Sequence, residues 1–199
     1  MTKKTALHII SSARESASYS KGLSSAIVDK LARKHEIDTV IERDLTKEFP
    51  PFLNGDLTGA FYKNPRSVTE EERRLLEYAD SVVNDVSNAD ILVLGTPMHN
   101  LGMSALLKAW MDQLVRFGVT YGYDENGVRK GRLNGKKVYL AIASGGRLED
   151  WPNGNEFIAS HVNAVFNAYV GSTEIHTFRV EGTAMPGFQA DYEKILAHL

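Results

Sequence analysis

Residues 89–95, ADILVLG, carry an apolar run that is unbroken from Ile91 to Leu94 and closed by glycine. A strand with one face in water alternates apolar and polar residues. A run that stays apolar at successive positions is what a central parallel strand needs when both faces are covered. That stretch alone points to layers of helices around a sheet. The rest of the chain supplies the partners. TALHII (5–10) and KKVYLAIASGG (136–146) read as further buried strands, IDTVIERDL (37–45) as an alternating one, and TEIHTFRV (173–180) as the last. Helical spacing fills the gaps. Leu23, Ile27 and Leu31 form a stripe within 21–35. TEEE (69–72) is a capping box, in which Thr69 caps the helix start and Glu72 returns the bond. Leu75, Ala79, Val82 and Val86 follow at helical spacing, and Met103, Leu107, Trp110 and Leu114 mark a helix over 103–117. Residues 157–171 and 188–198 complete the set of helices.

Strands alternate with helices along the whole chain, which predicts a parallel, doubly wound sheet with right-handed crossovers. Five strands of this kind fit most simply a flavodoxin-like three-layer fold with strand order 2-1-3-4-5, as one domain over 1–199. Ligands of such folds sit beyond the carboxyl ends of the strands, so the residues just after each strand carry the functional information.

Several function classes drop out early. The net charge of -2 gives no basic footprint for nucleic acid. No apolar run approaches the ~18 residues of a membrane span. Lys3 and Lys4 ahead of ALHII look briefly like a secretory leader, but that segment is short, contains His8 and reads as the first strand. The chain has no cysteine, which removes disulfides, thiol catalysis and cysteine-ligated metal and fits a cytoplasmic protein. Its six histidines show no i,i+3 or i,i+4 pairing, so no metal is assigned.

Three strand-end loops remain. SSARESASYS (11–20) opens the first helix with serines at 11, 12, 16, 18 and 20 and with Tyr19. A helix N-terminus lined with hydroxyls suits a phosphate; its plain structural reading is a polar loop with Ser18 or Ser20 as N-cap. TPMHN (96–100) offers stiff Pro97, adaptable Met98, His99, and Asn100 with a donor and an acceptor. Its plain reading is that Pro97 ends the strand and Asn100 caps the next helix. In ASGGR (143–147), Gly145 and Gly146 admit close backbone approach and Ser144 adds a donor, or the loop is an ordinary glycine turn. The phosphate loops of nucleoside triphosphatases and of dinucleotide-binding domains are absent, as are the acidic pair of response-regulator receivers and the G-x-S-x-G elbow of hydrolases. An anion site beside two loops suited to a flat polar ring fits flavin mononucleotide (FMN).

At this point a family resemblance emerges. GTPMHNLGMSALLKAWMDQLVRFGVTYGY (95–123) resembles the bacterial FMN-dependent NADH azoreductases, also described as NADH:quinone oxidoreductases. Pro97, Met98, Asn100, Lys108, Trp110, Asp112, Gly118, Thr120 and Tyr123 stand in register with that family's P-M-Y-N-F, K-x-[WY]-[ILMF]-D and R-x-G-x-T-F-x-Y segments. The serine loop and the fourth-strand glycine loop match as well, and the resemblance spans nearly the whole chain. It implies a flavodoxin-like homodimer with FMN at each subunit interface. It also implies that Ser11, Ser18, Tyr19 and Ser20 hold the phosphate and ribityl region, that Pro97, Met98, His99, Asn100 and Leu101 line the isoalloxazine, and that Ser144, Gly145 and Gly146 contact its pyrimidine side. Tyr121, Phe166 and Tyr169 are then candidates for the substrate pocket wall, although Phe166 shares a helical stripe with Val162 and also fits a core position. The implied reaction is ping-pong: NADH or NADPH gives hydride to flavin N5, and a quinone or azo acceptor then takes it. No protein base is required; His99 and Tyr121 are the candidates to assist protonation.

The chain departs from the family where ring and acceptor would lie. His99 replaces a usual Tyr, Leu101 an aromatic and Tyr121 a common Phe, while SGGR displaces Arg147 relative to the usual S-R-G-G. Residues 46–67, with three prolines and several aromatics, break the strand–helix rhythm and are expected to form an arm that packs on the partner subunit and helps roof the pocket. The rival readings are a flavodoxin-type electron carrier, usually far more acidic, and a non-catalytic flavin-binding or regulatory domain.

Overall fold

A computed structural model describes residues 4–151 and 156–199; Lys3 of the leader-like start lies outside them. Five parallel strands form the sheet: β1 (Thr5–Ile10), β2 (Thr39–Asp44), β3 (Ile91–His99), β7 (Lys136–Ala143) and β8 (Thr173–Val180). Their order is β2-β1-β3-β7-β8, which is the expected 2-1-3-4-5. Three short strands lie off this path: β4 (Gly102–Met103), which pairs antiparallel with the end of β3, and the hairpin of β5 (Tyr121–Tyr123) with β6 (Arg129–Gly131). Sequence reasoning missed that hairpin, although Asn126-Gly127 is a hairpin signal.

The apolar run of β3 is explained by its two faces. Leu92 and Leu94 pack with Leu7, Ile9, Val138 and Leu140 under α3 (Glu70–Asn88), α4 (Ala105–Leu114) and α5 (Ile158–Val165). Ile91 and Val93 face the opposite way, with Ala6, Tyr139 and Ala141, under α1 (Tyr19–Arg33). Leu23, Ile27 and Leu31 of α1 are buried there, as their spacing predicts. The Thr69–Glu72 capping box is present in full.

Four expectations change. The buried stripe of α3 runs through Leu76, not Leu75, which is 40% exposed. The reason is a tertiary partner: 46–67 contains a helix, α2 (Gly55–Phe61), whose Leu57, Ala60 and Phe61 close over Leu76 and Ala79. The helix expected over 103–117 is shorter. Its N-cap is Ser104, which accepts from the Leu107 amide, and Met103 instead pairs with Met98 in the β3–β4 hairpin. After α5 the backbone widens into a π turn at Phe166–Val170. The closing helix contracts to α6 (Tyr192–Ile195), and Tyr192 lies so close over Gly22 that a Cβ there would collide with its ring. Among the described residues no helix is long and apolar enough to cross a membrane.

Candidate functional site

Four strand ends converge on one cleft of about 200 Å³ with three walls. Ser12, Arg14, Ser18, Tyr19 and Ser20 form one wall, after β1. Pro97, Met98 and His99 form the second, at the end of β3. Ala143 and Gly145, with Thr183 and Ala184 from beyond β8, form the third. A larger cavity of about 570 Å³ adjoins the first wall and shares Arg14, Ser18 and Tyr19 with it. That cavity lies along the outer side of α1; the smaller cleft is the one over the strand ends, where ligands of this architecture belong.

The first wall is built for an anion. Ser18 is the N-cap of α1 and accepts from the Lys21 amide at 3.1 Å, while its hydroxyl lies 3.2 Å from that of Ser20. The first-turn amides of Tyr19 and Ser20 have no intrahelical acceptor, and the helix dipole adds positive potential. Arg14 contributes a full charge at the rim. The Tyr19 ring packs edge-on against Phe188 at 5.3 Å.

The second wall is a hairpin rather than a helix cap. β3 continues through Pro97, which pairs with Ala143, to His99. Asn100 and Leu101 then turn the chain with φ of 50° and 68°. Two consecutive left-handed residues in a two-residue loop make a type I′ turn, which matches strand twist. Asn tolerates that conformation; Leu does not do so readily, so Leu101 is strained. The Leu101 carbonyl accepts from the Phe157 amide at 3.0 Å and ties the hairpin tip to the start of α5.

The third wall is backbone. The segment after β8 zips onto the glycine loop: Thr183 N–H donates to the Ser144 carbonyl at 3.1 Å, Ala184 N–H to Gly145 at 3.1 Å and Gly182 N–H to Gly146 at 3.2 Å. With their carbonyls used, the N–H groups of Gly145 and Gly146 have no partner among the described residues. A Cβ on Gly145 would already stand 3.3 Å from the Ala184 methyl, so the flatness of this wall depends on glycine.

Of the expected cofactor residues, the structure therefore brings Ser18, Tyr19, Ser20, Pro97, Met98, His99 and Gly145 to one cleft. Asn100 and Leu101 form the adjacent hairpin tip. Ser144 is buried, and its hydroxyl donates to the Gly146 carbonyl at 2.7 Å. Ser11 points inward, donating to the Gly95 carbonyl at 2.8 Å, and does not border the cleft. Ser12, Arg14, Ala143, Thr183 and Ala184 were missed. Arg14 is the sole cation of its loop, and Thr183 follows the fifth strand end, so both had a signal in the sequence. Among the described residues no group of acidic or histidine side chains forms a metal site.

The candidate pocket residues lie elsewhere. Phe166 has no exposure, belongs to the core cluster with Val162, and borders neither the strand-end cleft nor the cavity of Tyr121 and Tyr169. Tyr121 and Tyr169 meet edge-on at 5.1 Å and border a separate cavity of about 210 Å³ with Leu53, Phe61, Tyr62 and Phe117. The Arg129 guanidinium sits 4.1 Å over the Tyr169 ring. Burial pushes the Tyr121 phenol upward from its ordinary pKa. This cavity and the strand-end cleft share no residue.

Comparison with known proteins gives a consistent picture. A family described as flavodoxin-like fold matches residues 4–199. The chain is 34% identical over 180 residues to an FMN-dependent NADH:quinone oxidoreductase of Herminiimonas arsenicoxydans, covering 90% of this chain and 87% of that one. It is 35% identical over 179 residues to an enzyme of the same description from Aromatoleum aromaticum, covering 90% and 88%. Among solved structures, an azoreductase from Bacillus anthracis str. Sterne superposes with a TM-score of 0.81 at 29% identity, covering 98% of this chain and 93% of that one.

Proposed function

Because the chain belongs to the flavodoxin-like fold family, matched across residues 4–199, we propose that it is an FMN-dependent oxidoreductase carrying reducing equivalents from NADH or NADPH to quinones and aromatic azo compounds. The observation that carries this reading is the single cleft joining an anion-ready helix start to a backbone wall at Gly145, whose amide has no partner among the described residues. Those residues fit the cofactor at both ends. A dianionic phosphate suits the α1 amides, the Ser18 and Ser20 hydroxyls and Arg14. A planar ring suits the backbone edge of 97–99 opposite Gly145, where any side chain would intrude on Ala184.

When bound, FMN supplies reversible hydride chemistry; the protein binds, orients and tunes. The free N–H groups of Gly145 and Gly146 would donate to the pyrimidine edge, where negative charge collects on reduction, a preorganised form of electrostatic stabilisation. His99, exposed and lining the cleft, would be the side chain to deliver a proton to an acceptor; water serves the same end. Donor and acceptor use the cleft in turn, which is the ping-pong scheme.

The working unit in this reading is a cytoplasmic homodimer. Tyr121 and Tyr169 do not border their own chain's cleft, so they can wall an acceptor site only for a second copy. The arm supports the same idea, since Phe49, Phe52 and Tyr62 are 68%, 73% and 69% exposed and Tyr62 borders that aromatic cavity.

The test is a visible spectrum of protein incubated with FMN and desalted, then given NADH without oxygen. A retained flavin band that bleaches and returns on adding a benzoquinone is the expected result. A retained band indifferent to NADH and NADPH would make the protein a carrier, and no retained band would remove the flavin reading.

A further inference from the structure

We infer that Ser11 and Ser104 form a buried strut that sets the spacing between the anion loop and the β3–β4 hairpin, so that Ser11 acts on a bound flavin by positioning and not as a phosphate ligand. The inference rests on the flavin reading above and deepens it.

The argument is one of hydrogen-bond direction. The Leu107 amide can only donate, and it donates to Ser104 Oγ at 3.2 Å. The Gly95 carbonyl can only accept, and it accepts from Ser11 Oγ at 2.8 Å. Between them the two hydroxyls lie 2.8 Å apart. A hydroxyl has one proton, so with Ser11 donating to Gly95 the bond between the serines must run from Ser104 to Ser11. The chain is therefore directed from end to end: Leu107 N–H to Ser104, Ser104 to Ser11, Ser11 to Gly95. Neither serine keeps a proton for a ligand. Both are shut away, at 2% and 4% exposure.

A second directed chain runs alongside. The Ser104 amide donates to Thr96 Oγ1 at 3.1 Å, and Thr96 Oγ1 donates to the Pro97 carbonyl at 3.0 Å. Thr96 is fully buried. Ser104 thus connects three parts of the cleft's foundation: the exit of β1 through Ser11, the end of β3 through Thr96, and the start of α4, which it caps. The loop that would hold phosphate and the hairpin that would border the ring are fixed to each other through this one residue. Buried chains with every member satisfied are rigid, and removing one member leaves its neighbours unpaired.

The two roles for Ser11 predict different ligand dependence. A phosphate ligand matters for FMN and not for riboflavin, which lacks the phosphate. A strut matters equally for both. The experiment measures FMN and riboflavin dissociation constants by flavin fluorescence for wild type, Ser11→Ala, Ser104→Ala, the double variant and Ser18→Ala. Strut action predicts that Ser11→Ala weakens both flavins by the same factor, about three- to tenfold. It also predicts that the double variant is no worse than the poorer single variant, because both remove the same chain. Ser18→Ala, by contrast, should weaken FMN selectively. Ser104→Thr, which restores the hydroxyl, should recover the affinity. Loss of the α4 cap in Ser104→Ala registers in the melting temperature and is uncoupled from Ser11. A Ser11→Ala that loses FMN affinity and keeps riboflavin affinity overturns the strut, as do multiplicative effects in the double variant. Wild-type protein that binds neither flavin overturns the flavin reading and with it the role assigned to the strut.

Discussion

The side-chain amide of Gln113 donates to the Pro51 carbonyl at 2.6 Å, and this bond fastens the arm preceding α2 to the end of α4. Gln113 is fully buried, and its Oε1 has no partner among the described residues. Two residues of α4's exit thus hold the arm, since the Arg116 guanidinium stacks 5.5 Å from the Phe61 ring centre while pairing with Asp80.

Replacing Gln113 with Leu removes that fastening along with the unpartnered oxygen. These effects oppose each other in global stability, so the melting temperature should change little. Local opening of 46–54 should become easier by about 1 kcal/mol, or roughly fivefold in limited-proteolysis rate. An unchanged cleavage rate in the arm would show that Gln113 does not hold it.

Phe52 is the arm's most exposed aromatic. If the arm meets a second copy, Phe52→Glu places a charge in that interface. Sedimentation should then show a shift toward monomer, with quinone turnover falling alongside it. A monomeric wild-type protein, or a variant that assembles like wild type, would detach the arm from assembly.

Leu101 occupies a left-handed conformation that costs an L-residue about 1–2 kcal/mol. Leu101→Gly creates the Asn-Gly pair preferred by type I′ turns and should stabilise the fold, by roughly 0.5–1 kcal/mol once the greater freedom of unfolded glycine is counted. Leu101→Val, β-branched at positive φ, should destabilise it. Thermal denaturation of the pair checks both signs.

His8 provides a pH dependence. Its Nε2 lies 2.8 Å from Ser24 Oγ on α1, and its Nδ1 lies 3.4 Å from Glu42 on β2. Burial holds its pKa below the ordinary 6.5 despite Glu42 and Asp29, which favour the charged form; Lys21 acts with burial. The unfolded chain therefore takes up a proton at a higher pH than the folded one. The stabilisation is complete above 6.5 and declines as pH falls from there toward the folded-state value. Urea midpoints should drop between about pH 7.5 and pH 5.5. In His8→Gln that part of the slope should vanish, and an equal slope in the variant would assign it to other groups.

Much of the fold was legible because hydrophobic period is a local property. The unbroken run of β3, the stripe of Leu23, Ile27 and Leu31, and the Thr69–Glu72 box each specify their element within a few neighbouring residues, and the alternation of elements then restricts the sheet order. The cleft was legible for the same reason, since it collects whatever follows the strands. What escaped depends on contacts distant in sequence. Leu76 replaces Leu75 in the core because α2 folds over it. Ser11 turns inward because Gly95 and Ser104, 84 and 93 residues away, take its hydrogen bonds. Phe166 and Tyr169 look alike along a helical stripe, yet one is buried in the core and the other borders a surface cavity. The sequence by itself determined the layers, the strand order and the neighbourhood of the site. Only the tertiary structure decided which side chains face the cleft, because a side chain's direction follows from the partners that satisfy and bury it, and those partners are brought together by the whole fold.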